Sequence, residues 1–358
     1  MENNIHLITI KNTLLFFMSI VLVMIIKELS GLLIPLAFAL FIGLLLQPII
    51  EFLRRKSWPY SVIITSITII TIGTLFLIGV IIKDTGVQIV SEKDILLEQI
   101  SIKLDGIIES VDHLPGLESL EADGFVSLLN RIFSPTFLLN TSGLLAGQLG
   151  TLTWNFILTT IYLVAVLGSI VRYEKYIEYL EGDDDEGKQK MTQAFIEVKD
   201  GIVNYMKVKF LTSLCTGISF GVICWAFQIN FALFWGFLAF ILNFIPTVGS
   251  ITATIPPILL GLVQIESSGM LSFFILLLIG AQFLWGNIIE PMVMGSTVDV
   301  NIVFIIFGLV LWGYIWGTAG MLLSVPLLVL MRVVLSQVPD AHMIVKIMGR
   351  SHLRRHAN

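Results

Sequence analysis

Between Phe210 and Met331 the sequence holds no Lys, Arg or His, and its only acids there are Glu266, Glu290 and Asp299. Glu290 lies in Gly286-Asn287-Ile288-Ile289-Glu290-Pro291-Met292-Val293-Met294-Gly295, between two long uncharged runs. An acid close to a membrane core is costly and marks a functional position by default. Its carboxylate can carry a proton or a cation, or accept hydrogen bonds from substrate hydroxyls. The alternative is a carboxylate at the membrane edge, capping the helix that Pro291 opens. Asn287 stands one turn earlier and would share its face. The other groups fit for binding are neutral: Asn243, Thr247, Ser250 and Thr318 can donate and accept without charge. An intramembrane hydrolase would need a base beside its nucleophile, and this half of the chain offers no His or Lys. With no Gly-x-x-x-x-Gly-Lys-Ser/Thr anywhere, nothing points to ATP hydrolysis.

The elements that must position these groups are membrane helices. Hydrophobic residues make up 56% of the 358 positions and charged residues 13%, about half of what a soluble domain needs to stay wetted. Lipid must therefore serve as part of the solvent. The net charge of −5 is small and argues against nucleic-acid binding. Cys215 and Cys224 are too far apart along one helix for a disulfide and read as buried small hydrophobes. All five histidines (His6, His113, His342, His352 and His356) fall outside the apolar runs, so no metal site and no cofactor is expected.

Runs of about 20 apolar residues mark candidate spans. They fall at about 12–26, 29–50, 60–82 and 151–171, with Arg54-Arg55-Lys56 in the tight loop after the second. Short cation-rich loops stay cytoplasmic, which places both termini inside a bacterial plasma membrane. The resulting order is a three-helix region over 1–82, an extracytoplasmic helical insert over 83–148 and a fourth span over 149–171. A cytoplasmic loop over 172–209, a transport core over 210–335 and a cytoplasmic tail over 336–358 complete it. The insert is acidic, and Leu96, Ile100, Leu104, Ile107, Ile108 and Val111 recur at the spacing of an amphipathic helix. The acidic knot at Asp183-Asp184-Asp185-Glu186 reads as a solvated turn. This topology makes a direct prediction. A membrane-impermeant thiol reagent should label a cysteine placed at Gly116 in intact cells but not one at Gly187, and the reverse pattern would sink it.

The core contains two apolar runs too long for a single crossing. The run 231–264 would reach about 50 Å as a straight helix, against a hydrocarbon core of about 30 Å. Asn243-Phe244-Ile245-Pro246-Thr247-Val248-Gly249-Ser250 interrupts it, and Pro256-Pro257 does so again. The run 300–331 is broken at Trp312-Gly313-Tyr314-Ile315-Trp316-Gly317-Thr318-Ala319-Gly320 and at Pro326. A shift of 70 residues sets Ile255-Pro256 over Val325-Pro326 and Val248-Gly249-Ser250 beside Thr318-Ala319-Gly320. Paired proline- and glycine-interrupted segments point to a binding site built from discontinuous helices. Six spans plus two re-entrant hairpins, or eight spans, both satisfy the charges. The excess length favours hairpins. The fold class is thus an all-α polytopic membrane protein of six to eight helices, with candidate site residues Asn243, Pro246, Thr247, Gly249, Ser250, Asn287, Glu290, Gly317, Thr318 and Gly320.

Three motifs together carry a resemblance: Asn243-x-x-Pro246-x-x-Gly249, Gly286-Asn287-x-x-Glu290-Pro291-x-x-Met294-Gly295, and Trp312-Gly313 leading to Gly320-Met321-Leu322-Leu323-Ser324-Val325-Pro326. With Pro35 and Gln47-Pro48 in the second span, they make the chain similar to the autoinducer-2 exporter family of bacterial permeases over nearly its whole length. The resemblance implies a secondary transporter exporting autoinducer-2, a quorum-sensing signal, or another small solute. It also implies helical hairpins around the site and a homo-oligomer, a pentamer being one candidate. Sodium (lithium)/proton antiport, with Glu290 as the ion-coupling residue, is the alternative that the resemblance implies. No enzymatic activity is expected.

Overall fold

The computed structural model describes residues 2–74, 76–77, 79–81, 83–85, 88, 154–169, 186–294, 301–336 and 347–348. The expected amphipathic helix at 96–111 and the acids Asp183–Asp185 lie outside the described residues. In hydrocarbon the backbone must bond to itself, and a helix does this within one segment. Among the described residues every regular element is accordingly helical. In chain order they are α1 (Glu2–Glu28), α2 (Ser30–Arg55), α3 (Tyr60–Thr85), α4 (Trp154–Ser169), α5 (Glu186–Ala226), α6 (Ala232–Leu242), α7 (Val248–Gln264), α8 (Ser268–Phe283), a π turn (Leu284–Ile289), α9 (Glu290–Met294) and α10 (Ile302–Ser336). Among the described residues, five stretches are long and apolar enough to cross a membrane: Ser30–Arg55, Tyr60–Thr85, Lys199–Ala226, Ser268–Met294 and Ile302–Arg332. Large apolar side chains such as Phe76, Trp225 and Met292 stand exposed on these helices, which suits a lipid surround rather than water.

The chain divides into two compact units. The first comprises 1–69, 155–209 and 294–358. Its helices α2, α3 and α4 bury Ala39, Ile50, Ile63, Ile67, Leu163 and Leu167 against one another. A second cluster joins Ala37 and Phe41 of α2 to Ile202, Tyr205 and Met206 of α5 and to Leu323, Val325 and Leu327 of α10. The Tyr60 hydroxyl donates to the carbonyl of Leu167, tying the start of α3 to α4. The basic triplet Arg54-Arg55-Lys56 ends α2 on an exposed turn, where Ser57 takes a left-handed conformation at φ 60°.

Helix α10 is apolar enough for a span, yet its packing shows that it does not run straight. Gly308 and Leu328 would be about 30 Å apart along a straight helix, but a Cβ on Gly308 would run into the Leu328 side chain. Gly313 likewise packs on Met321. The chain reverses at Gly317, whose φ of 62° and ψ of −142° lie outside the helical region. The run is therefore a hairpin. Two contacts hold its turn to the end of α1. The Trp316 indole Nε1 donates to the carbonyl of Ile26 at 3.1 Å, and the Lys27 ammonium lies 4.1 Å from the centre of the Tyr314 ring. A helix end leaves carbonyls without intrahelical partners, and the indole supplies one.

The second unit comprises 70–154 and 210–293. Its core gathers Phe220 and Cys224 of α5, Ala239 of α6, Ala253 and Leu260 of α7, and Phe274 and Leu278 of α8. Here α6 and α7 form the other hairpin. At 11 and 17 residues each falls short of the roughly 20 needed to cross. Both interrupted runs thus fold back on themselves, as their excess length suggests.

Candidate functional site

The turn between α6 and α7 is built by Asn243, Pro246, Thr247, Gly249 and Ser250. Thr247 adopts φ 59° and ψ −55°, and the Val248 amide donates across it to the Pro246 carbonyl at 2.6 Å. This is a γ-turn of the rare, strained hand. Hydroxyls help to hold it: Thr247 Oγ1 donates to the Pro246 carbonyl at 2.7 Å and Ser250 Oγ to the Thr247 carbonyl at 2.8 Å. Gly249 is buried against the opposite arm. A Cβ there would overlap the Leu242 carbonyl oxygen and sit 2.7 Å from its carbon. No side chain can be placed without moving backbone.

The α10 hairpin repeats this construction in its own unit. Thr247 and Gly317, 70 residues apart, carry the left-handed φ of their respective hairpin turns. Gly320 packs on Trp312 as Gly249 packs on Leu242, its absent Cβ overlapping the Trp312 carbonyl oxygen. Leu242 and Trp312 are also 70 apart, while the two glycines differ from that register by one. Thr318 is exposed beside Gly317.

Below the first turn lies a chain of neutral hydrogen bonds between helices. Asn243, with 4% of its surface exposed, donates through Nδ2 to Ser213 Oγ of α5 at 3.0 Å. Gln282 of α8 donates through Nε2 to Asn243 Oδ1 at 3.4 Å. Thr212 and Thr216 are buried on the same face of α5, with Thr216 Oγ1 donating to the Thr212 carbonyl at 2.8 Å. Interhelical bonds inside membranes contribute about 0.6–1.7 kcal/mol each. Asn243→Leu, which removes two of them, should therefore cost about 1–3 kcal/mol, read as a lower midpoint of thermal unfolding in detergent.

The π turn sets the position of Glu290. A proline clashes with the carbonyl four residues back and lacks an N–H, so α-helical geometry is disfavoured just before Pro291. The Glu290 amide bonds to the carbonyl of Trp285, five residues earlier, and the helix continues through the turn. Glu290 itself has helical angles, φ −56° and ψ −53°. It does not cap a new helix. Its half-buried carboxylate accepts from Thr212 Oγ1 at 3.4 Å. The Trp285 indole donates to Ser219 Oγ at 3.0 Å, so α5 meets the turn twice. Such turns often occur at functional positions.

Of the ten residues singled out in the sequence, the structure brings Asn243, Pro246, Thr247, Gly249 and Ser250 into one turn. Glu290 joins α5 through Thr212, while Asn287 is exposed and its side chain makes no hydrogen bond among the described residues. Gly317, Thr318 and Gly320 build the other hairpin turn. Four contributors were not anticipated: Thr212, Ser213, Thr216 and Gln282. The first three stand at helix-face spacing in an apolar run, a signal that was available.

The sequence is similar to known chains over almost its full length. A protein of Haemophilus influenzae, described as a candidate transport protein, is 27% identical over 345 residues, covering 95% of this chain and 96% of that one. The AI-2 transport protein TqsA of Escherichia coli is 26% identical over 337 residues, covering 92% of each. The profile of the AI-2E family transporter matches residues 14–340. Because that match takes in both hairpins and the π turn, the chain belongs to the AI-2E family of transporters.

Proposed function

We propose that this transporter exports a small, neutral, hydroxyl-bearing solute by alternating access, with an autoinducer-2-like molecule as first candidate. The supporting observation is the buried chain Ser213–Asn243–Gln282 beneath a strained hairpin turn. Uncharged amides and hydroxyls in an apolar bundle suit a polyol-like solute, since they exchange hydrogen bonds without the desolvation cost of a formal charge. The name of the Escherichia coli relative agrees with this choice. The site comprises Asn243, Thr247, Ser250 and Glu290 beside the unanticipated α5 and α8 residues, with both chain termini on the cytoplasmic side of the plasma membrane and the protein a homo-oligomer.

A second reading, sodium (lithium)/proton antiport, draws on the half-buried Glu290 carboxylate and its Thr212 partner. Counterflow of labelled autoinducer-2 in proteoliposomes, with and without proton or sodium gradients, separates the two. Accumulation against unlabelled solute at zero gradient supports solute export. Sodium-driven proton movement without counterflow would overturn it in favour of antiport.

A further inference from the structure

We infer that Gln282 is a solute-selecting residue: its carboxamide oxygen receives a hydrogen bond from a donor group, a hydroxyl or an amine N–H, on the transported molecule. This rests on the export reading above and deepens it. Gln282 Oε1 is buried and has no hydrogen-bond partner among the described residues. Buried polar atoms are almost always paired, and an exception asks for an explanation.

The amide cannot meet its need by turning over. Its Nε2 faces Asn243 Oδ1, whose own Nδ2 is committed to Ser213. Reversal would set two acceptor oxygens against each other. The donors all run one way, from Gln282 to Asn243 to Ser213, and bonds polarised in one sense strengthen the acceptor left at the head of the chain. Gly286 makes room for this pose, since a Cβ there would lie 3.3 Å from Gln282 Nε2. The motif glycine and the amide thus belong to one feature.

The same geometry states what is selected. Asn243 Oδ1 and Ser213 Oγ are already accepting, so the cluster offers one uncommitted oxygen. That is far from the six or more oxygens a hard cation gathers. It suits a single donor hydrogen. A lone acceptor in an apolar wall favours hydroxylated or amine-bearing molecules and disfavours ethers and carboxylates, which bring no hydrogen to share. Sites built around a hydrogen bond reject the analogue that lacks it far more strongly than a hydrophobic wall can.

Two variants of the full chain in lipid nanodiscs test this. Gln282→Met keeps length but removes both donor and acceptor; Gln282→Glu keeps an acceptor and removes the donation to Asn243. The probes are autoinducer-2, erythritol and xylitol, with the O-methyl ethers of the two polyols, scored by thermal protection and by competition in counterflow. Wild-type protein should prefer the polyols to their ethers by at least about tenfold. Gln282→Met should reduce that preference to within about twofold, while Gln282→Glu should retain it. A purely structural role, holding Asn243, predicts that Glu fails as badly as Met, and that result overturns the inference. So does a preference that survives in Gln282→Met, or wild-type protein that no hydroxylated probe protects. Flux of every probe at the protein-free background would instead bring down the export reading, whatever the binding preference.

Discussion

Gly249→Ala should reduce solute flux to near that of protein-free vesicles while the protein still inserts. The methyl group has nowhere to go: it meets the Leu242 carbonyl carbon at 2.7 Å and Ile245 Cβ at 3.0 Å, with the Leu242 oxygen closer still. Two of these atoms are backbone, so no rotamer change relieves the overlap. The arms of the α6–α7 hairpin must separate, which moves the γ-turn and pulls Asn243 away from Ser213. A misplacement of about 1 Å in a preorganised site costs on the order of a hundredfold in rate. Insertion depends on hydropathy and is unaffected by one methyl group. Gly280→Ala in α8 is the control, because among the described residues nothing lies within 4 Å of its Cβ position and alanine is the better helix former. Normal flux in Gly249→Ala, measured beside that control in the same vesicles, would show that the close approach is not needed for transport.

Glu290→Gln carries the second large effect, a loss of at least about tenfold in gradient-driven flux. The amide preserves shape and an acceptor oxygen for Thr212 but cannot titrate. Counterflow then assigns the role. Retained counterflow means that the carboxylate carries the coupling proton; counterflow lost in parallel means that it binds solute. The structure removes the capping alternative, because Glu290 continues the helix and its amide is already bonded to Trp285. Wild-type flux with and without a gradient would refute any direct part for this residue.

Much of this was legible before any coordinates. Excess length in 231–264 and 300–331, with prolines and glycines at their middles, indicates two hairpins because the bilayer has a fixed thickness. The 70-residue shift reappears as paired left-handed residues, Thr247 and Gly317. The glycines of both turns are fixed by backbone contact, a requirement that only glycine meets and that leaves a visible mark in sequence. Gln282 leaves no such mark, and the helix-face spacing of Thr212, Ser213 and Thr216 marks a polar stripe without saying what each residue bonds. A neutral polar residue in an apolar helix looks the same whether it bonds to its own turn, as Thr216 does, or reaches a neighbouring helix. Asn287 and Glu290 show the other limit. Equal spacing in sequence places two side chains on one face only while the helix keeps a constant pitch, and here it does not.

That change of pitch makes the six residues Leu284–Ile289 a phase shifter. A π turn accommodates one residue more than an α turn, so everything beyond it is rotated by about 100° from where an uninterrupted helix would carry it. Removing a single residue from this segment would close the π turn to an α turn and leave the carboxylate of Glu290 facing Thr212, whereas the same removal from a regular α turn would swing it away by about 100°. A one-residue deletion in a regular turn is thus an angular change, comparable to turning a key, and the extra residue of the π turn is what can absorb it. Aligning this stretch with a relative by residue count alone would pair side chains that point in different directions, and a one-position gap between Leu284 and Glu290 is the point at which to test for it.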